Sequence, residues 1–183
     1  SWSYMENSTP RATLTADSNE TKVLVVRKIQ LECIVFRNKN NIREFLLLNR
    51  TPQKGGFWQP PCGGLEKEDH TKLDAAYREL FEEENITRKD VLKVFKDVDT
   101  FEINNHYLTR EPIPTITEWV YGFEISPSTQ ISVNNNQCLE HDQFVWVTFE
   151  TALELLKWDN NKAALTKLNK RLDKIKEQPT PTH

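Results

Sequence analysis

The chain has 183 residues, a formal net charge of −3, and 28% charged against 37% apolar residues. That length favours one domain with a sizeable core, and the mild acidity argues against general nucleic-acid or membrane partners. No apolar run approaches the roughly 20 residues that cross a bilayer, no secretory signal is visible, and Cys33, Cys62 and Cys138 are too few and too scattered for a disulfide scaffold or a zinc site; a cytoplasmic location is expected.

Residues 1–20 are polar and aperiodic and are expected to be disordered, with Met5 as the natural start and Ser1 to Tyr4 as residues ahead of it. A single domain is expected over 21–177, followed by a flexible tail over 178–183. The run TKVLVVRKIQLECIVF is rich in Val, Ile and Leu and reads as one or two strands. A turn follows at 38–41, and REFLLLNR over 43–50 reads as the next strand. TPQKGGFWQPPCGG is a loop by composition and holds four of the chain's five glycines.

Residues 71–84 read as a helix. Leu73, Ala76 and Leu80 share a face, Thr71 is a fitting N-cap with Asp74 three residues on, and Asn85 tolerates the left-handed conformation that ends a helix. Strands are expected over 91–103, 115–125 and 143–149, and a short helix over 150–156. A second amphipathic helix spans 161–177, with Ala164, Leu165, Leu168, Leu172 and Ile175 on one stripe. Strands, helix, strands, helices, without βαβ alternation, predict a mixed sheet with helices on its faces, α/β or α+β.

Glu79, Glu82 and Glu83 stand at i, i+3 and i+4 and so share one side of the first helix. From Gly64 to Glu84 there are eight acidic residues and three basic ones, and the charge lies near the helix C-terminus, the wrong end for the macrodipole. Clustered carboxylates without His or Cys are hard oxygen ligands that suit Mg²⁺ or Mn²⁺. Such ions commonly work with phosphate, in displacement at phosphorus. The plainer reading is a solvated helix face with Arg78 paired to Glu82.

This spacing resembles the Nudix box, G-x5-E-x7-R-E-U-x-E-E-x-G-U, where U is a bulky aliphatic residue. Gly64, Arg78, Glu79, Leu80, Glu82, Glu83 and Ile86 fall on its positions. Two positions depart. Asn85 replaces the second glycine, a mild change. His70 replaces the first glutamate, which helps brace the box arginine; Glu68 or Asp69 would have to substitute. FWQ over 57–59, TEWV over 117–120, EHDQFVW over 140–146 and WDNNKAAL over 158–165 are similar to the subgroup of dATP pyrophosphohydrolase and dihydroneopterin triphosphate pyrophosphatase. The PP before CGG is similar to diadenosine tetraphosphate hydrolases.

The resemblance implies a Nudix-type mixed β-sheet sandwiched between helices. It also implies an Mg²⁺- or Mn²⁺-dependent pyrophosphohydrolase acting on a nucleoside triphosphate or a related nucleoside diphosphate-linked compound. By that resemblance Glu79, Glu82 and Glu83 hold the metal, with the Gly63 carbonyl and a glutamate from a distant loop. Glu140 matches that last position best, ahead of Glu118. Glu83 or Glu140 is the base that takes a proton from water, and Arg78 orients the helix glutamates. Arg27 and Arg50 are candidates for phosphate contacts, Phe57 and Trp58 for stacking on a base or pterin ring, Gln59 for a ring edge, and Lys162 for a phosphate. Each has a plainer reading as a surface or core residue. A nucleotide or other pyrophosphate is the expected partner, with no membrane or nucleic acid and with a homodimer left open. The alternatives are a nucleotide-binding module without catalysis, for which His70 is the main support, and a diadenosine polyphosphate or RNA-end hydrolase. Residues 104–115 are expected to shape the substrate pocket.

Overall fold

One strand, β2 (Lys22–Lys39), organises the sheet. Leu31, Cys33 and Val35 enter one core layer, and Ile34 and Phe36 enter the other. This is the period-two pattern of a strand buried on both faces. The computed structural model describes residues 11–16, 22–133 and 141–177, without the side chains of 11–27 and 141–142.

On one side β2 runs parallel to β7 (Pro112–Ile125). On the other it pairs antiparallel, first with β5 (Cys62–Gly64) and then with β3 (Ile42–Arg50). β3 in turn pairs with β4 (Trp58–Gln59) and β8 (His141–Val147), and β6 (Val91–Asn105) lies against β7. The main path through the mixed sheet is therefore β4-β3-β2-β7-β6. β1 (Arg11–Ala16) pairs antiparallel with residues 22–27 of β2. It corrects the expectation of disorder over residues 11–16, while 1–10 and 17–20 lie outside the described residues. The start of β2 has backbone donors and acceptors to satisfy, and the Thr-Leu-Thr segment of β1 is suited to pair with them.

The helices cover the two faces. α1 (Lys72–Glu84) packs Ala75, Ala76 and Leu80 against the layer that holds Leu31, Cys33 and Val35. α2 (Phe149–Leu155) and α3 (Asp159–Glu177) bring Ala152, Ala164, Leu165, Leu168 and Leu172 to the opposite layer. α3 comes close because β7 has a glycine at the contact: a Cβ on Gly122 would press on Leu168 at 2.9 Å. Ile175, expected on the buried stripe, is 39% exposed, because only the earlier part of that stripe enters the core. The expected strand through 149 stops at Val147, and Thr148 becomes the N-cap of α2. At α1 the Asp74 N–H donates to Thr71 Oγ1 at 3.0 Å, and Asn85 closes the helix at φ 60°. Among the described residues no helix is long and apolar enough to cross a membrane.

Candidate active site

The short strand β5 delivers the chain into the loop ahead of α1. Gly63 lies opposite Leu31 in the ladder, and a Cβ there would occupy the space of the Glu79 carboxylate. The absence of a side chain at Gly63 therefore lets Glu79 seat against the strand. In the loop, Asp69 turns inward to 6% exposure, and its Oδ2 accepts the Glu66 N–H at 2.8 Å.

Arg78 ties strand, loop and helix together. Its Nε donates to Asp69 Oδ1 at 3.1 Å, and Nη2 donates to Asp69 Oδ2 at 2.9 Å. Nη2 also donates to the Gly64 carbonyl at 2.8 Å. Nη1 donates to Glu79 Oε1 at 2.8 Å and to Glu82 Oε2 at 3.3 Å. A guanidinium has five N–H donors in a fixed fork, and these contacts engage all three of its nitrogens. Burial alone would lower the Arg78 pKa. The Asp69 and Glu79 carboxylates outweigh burial and hold it above the ordinary arginine value. The pairing with Glu82 expected of a plain helix face is present, but the closer partners are Asp69, Gly64 and Glu79. The brace that His70 cannot supply comes from the residue before it.

The three box glutamates do not present a single open face. Glu79 and Glu83 are buried at 3% and 5% exposure, whereas the Glu82 side chain is 46% exposed. Steps of about 100° per residue set Glu79 and Glu83 on the strand side and leave Glu82 at the rim. Glu84 also turns inward, to 1% exposure. Among the described residues no three acidic, imidazole or thiol groups already close around one ion. The donor set still fits Mg²⁺ or Mn²⁺. It is all carboxylate and backbone oxygen, and Mg²⁺ is normally held by one or two carboxylates plus substrate phosphates rather than by a complete protein cage. The space kept at Gly63 for the Glu79 carboxylate is the structural sign of that fit.

A model of the Nudix domain matches residues 17–168. The chain belongs to the Nudix family. An RNA pyrophosphohydrolase of Bartonella bacilliformis is 30% identical over 101 residues, covering 51% of this chain and 59% of that protein. A protein described as a Nudix hydrolase from Listeria monocytogenes superimposes with a TM-score of 0.67 at 29% identity, over 83% of this chain and 99% of that one. The dihydroneopterin triphosphate pyrophosphohydrolase of E. coli superimposes at 0.60 with 21% identity, over 76% and 92% of the two chains, and shows the shared fold alone. The chain spans 28%, 59% and 46% of the length of three curated relatives it matches.

The opposite face of this Nudix sheet carries a cavity of about 270 Å³ between β6, β7, the loop that joins them and the start of α3. Glu118, Asn161, Trp158, Tyr107 and Arg110 line it. Trp119 packs into the α1 layer, so strand alternation points its neighbour Glu118 the other way. Phe57 is 5% exposed and meets Trp158 and Tyr107 edge-on, at 5.4 and 5.8 Å between ring centroids. It props the cavity wall rather than offering an open ring face. Trp58 packs into the α2–α3 layer, and Gln59 is fully buried in β4. Arg50, read as a surface residue or a phosphate contact, has no exposure at all. It donates to the Lys54 carbonyl at 3.2 Å and to the Tyr107 hydroxyl at 3.4 Å. Lys162 is half-buried in the first turn of α3. The Arg27 side chain and the whole of Glu140 and Cys138 lie outside the described residues.

Sequence reasoning passed over Glu32. It is fully buried on β2, and its Oε1 accepts the Asn161 side-chain amide. Burial first, then the charge of Glu118, push its carboxyl well above the ordinary range; the Asn161 hydrogen bond opposes them and Asp99 adds to them. An acidic residue inside the apolar run QLECIVF was the available signal.

Proposed function

We propose that this Nudix protein is a pyrophosphohydrolase that cuts a nucleoside triphosphate, or a related nucleoside diphosphate-linked compound, by attack of water at phosphorus with Mg²⁺ or Mn²⁺ as cofactor. The observation that carries this reading is the Arg78 guanidinium, locked by Asp69 and Gly64 and set against Glu79 beside the bare Cα of Gly63. A module freed of catalysis has no need of so complete a brace once His70 has replaced the box glutamate.

Glu79, Glu82 and Glu83, with the Gly63 carbonyl and Glu140, are the groups that would hold the ion. When bound, it neutralises phosphate charge and acidifies a water molecule. Arg78 keeps the Glu79 carboxylate oriented, and Asp69 keeps Arg78 in place. A carboxylate oxygen of Glu83 or Glu140 takes the proton of the attacking water. A pyrophosphate on RNA is the second reading, favoured by the name of the Bartonella relative.

The test is a panel of dATP, dGTP, other nucleoside triphosphates, dihydroneopterin triphosphate, diadenosine tetraphosphate, ADP-ribose and triphosphorylated RNA, assayed with Mg²⁺ and with Mn²⁺. Metal-dependent release of pyrophosphate or phosphate that disappears in Glu83→Gln is expected. Tight nucleotide binding with no turnover on any member would overturn the hydrolase reading.

A further inference from the structure

α3 holds six basic and three acidic residues, in a chain whose net charge is −3. The overall acidity, which argued against nucleic acid, hides a local excess of cations. At about 100° per residue, Ala164, Leu165, Leu168 and Leu172 fall on the buried side of the helix, and Lys167, Lys170, Arg171 and Lys174 fall together on one flank. These four are exposed, as are Lys93 and Lys96 on the neighbouring stretch of β6. The flank lies against that stretch. Arg171 Nη1 donates to the Lys96 carbonyl at 3.1 Å. The Arg171 guanidinium and the Lys93 ammonium sit over the same Phe95 ring, at 5.4 and 4.9 Å from its centre.

The carboxylates near this flank are engaged or face elsewhere. Asp99 holds Lys167 at 2.7 Å, and Asp173 holds Arg43 at 2.8 Å on the other side of the helix. Glu124 stands across from Lys93 in the ladder. The Asp97 charge is felt by Tyr121, a residue of the α1 layer on the opposite face of the sheet. Among the described residues Lys96, Lys170, Arg171 and Lys174 make no ion pair. Lys170 and Lys174 also stand one turn apart, where like charges repel. A line of anionic groups laid along the flank would relieve that repulsion.

We propose that this flank docks the phosphate backbone of a nucleic-acid strand. A protein partner would need an apolar centre to bury, and Lys167, Lys170, Arg171 and Lys174 offer none. A bilayer would need a free apolar helix face, and Leu165, Leu168 and Leu172 already use that face in the core. Repeated phosphates need only cations at intervals along a surface. From Lys167 to Lys174 the helix advances about 10 Å, which gives a short track of three unpaired cations with Lys96 beside it. The proposal goes beyond the hydrolase reading, and strand binding is measured without turnover.

The experiment follows a short labelled RNA with a 5′ hydroxyl by fluorescence anisotropy, in EDTA so that no metal bridges it to the carboxylates of α1. Three neutralised phosphates predict that log K falls against log salt with a slope of about −2 between about 50 and 200 mM. This wild-type slope needs no variant to fold. Lys170→Ala with Lys174→Ala should weaken binding about tenfold or more and make the slope shallower by about 1.4. Lys39→Ala with Lys89→Ala removes the same charge from other exposed positions and should stay within about twofold of wild type. Matched melting midpoints show that both variants fold. RNA binding lost only in the α3 variant, with no turnover on any nucleotide, would uphold the flank and sink the hydrolase reading. Nucleotide hydrolysis without RNA binding would sink the flank alone. Equal weakening in both variants would overturn the proposal, as would binding to phosphatidylserine vesicles in place of RNA.

Discussion

Two sets of buried carboxylates lie on opposite faces of one sheet, and they are stabilised in different ways. On the α1 face, Asp69 and Glu79 are gripped by the Arg78 guanidinium. On the α3 face, Glu32 meets a neutral amide and a neighbouring carboxylate, and burial favours its protonated form. The dense acidic run thus has a guanidinium of the chain's own set among its carboxylates. The single glutamate in an apolar strand meets no such cation, and its carboxyl is pushed above the ordinary range. Local acid density in a sequence and charge in the fold are separate quantities, and the cation that accompanies each carboxylate decides between them.

The comparison can be broken most forcefully at the set held by Arg78. Glu83→Gln should cut kcat by at least about a hundredfold, in the range that loss of a positioned base or ligand produces, with the thermal midpoint retained; phosphate release with Mg²⁺ and a melting curve check both halves. Asp69→Asn should cost about ten- to a hundredfold, the usual effect of removing a group that orients a metal ligand. His70→Glu should restore little, within about twofold of wild type, because Asp69 already fills the Arg78 fork. A large gain in His70→Glu would show that the family's own brace is still wanted. Gly63→Ala drives a Cβ into Glu79. It should destabilise by about 1–3 kcal/mol and lower activity together with stability, as read by denaturant unfolding.

The Glu32 side is tested by pH. The folded pKa of Glu32 is raised, so the folded state binds more protons than the unfolded chain between the ordinary carboxylate range and that raised value. Stability is lost as pH rises through this window. Glu32→Gln carries no proton to lose. Its midpoint should match wild type near pH 4 and exceed it by a few degrees at pH 8, at roughly 2–4 °C per kcal/mol for a chain of this size. A gain that is the same at both values would show that Glu32 is not titrating in the folded protein.

Much of the fold was legible in the sequence. The alternation around Leu31 to Phe36 and the stripe from Ala164 to Leu172 carry a two-layer sandwich in their periods. Thr71 and Asn85 mark the ends of α1 by their chemistry. The box glutamates, Arg78 and Gly63 were legible for the same reason, since helical spacing and a required glycine are local properties. The Asp69 brace could only be named as one of two substitutes for His70, because the path of the loop decides which carboxylate reaches Arg78. Glu32, Glu118 and Asn161 come from three separate elements, and their meeting depends on the parallel register of β2 with β7 and on where α3 lands. Burial of Arg50 beneath Phe57 and Tyr107 is a tertiary outcome of the same kind.

The division between the two sets is tested most directly by titrating Mn²⁺ into the protein without nucleotide, followed by electron paramagnetic resonance. Wild type is compared with Glu82→Gln and Glu83→Gln on one face and with Glu32→Gln and Glu118→Gln on the other. The account predicts that the α1 variants weaken Mn²⁺ binding by about tenfold or more and that the α3 variants stay within about twofold of wild type. Equal weakening on both faces, or weakening confined to Glu32 and Glu118, would contradict it and move the metal to the other side of the sheet.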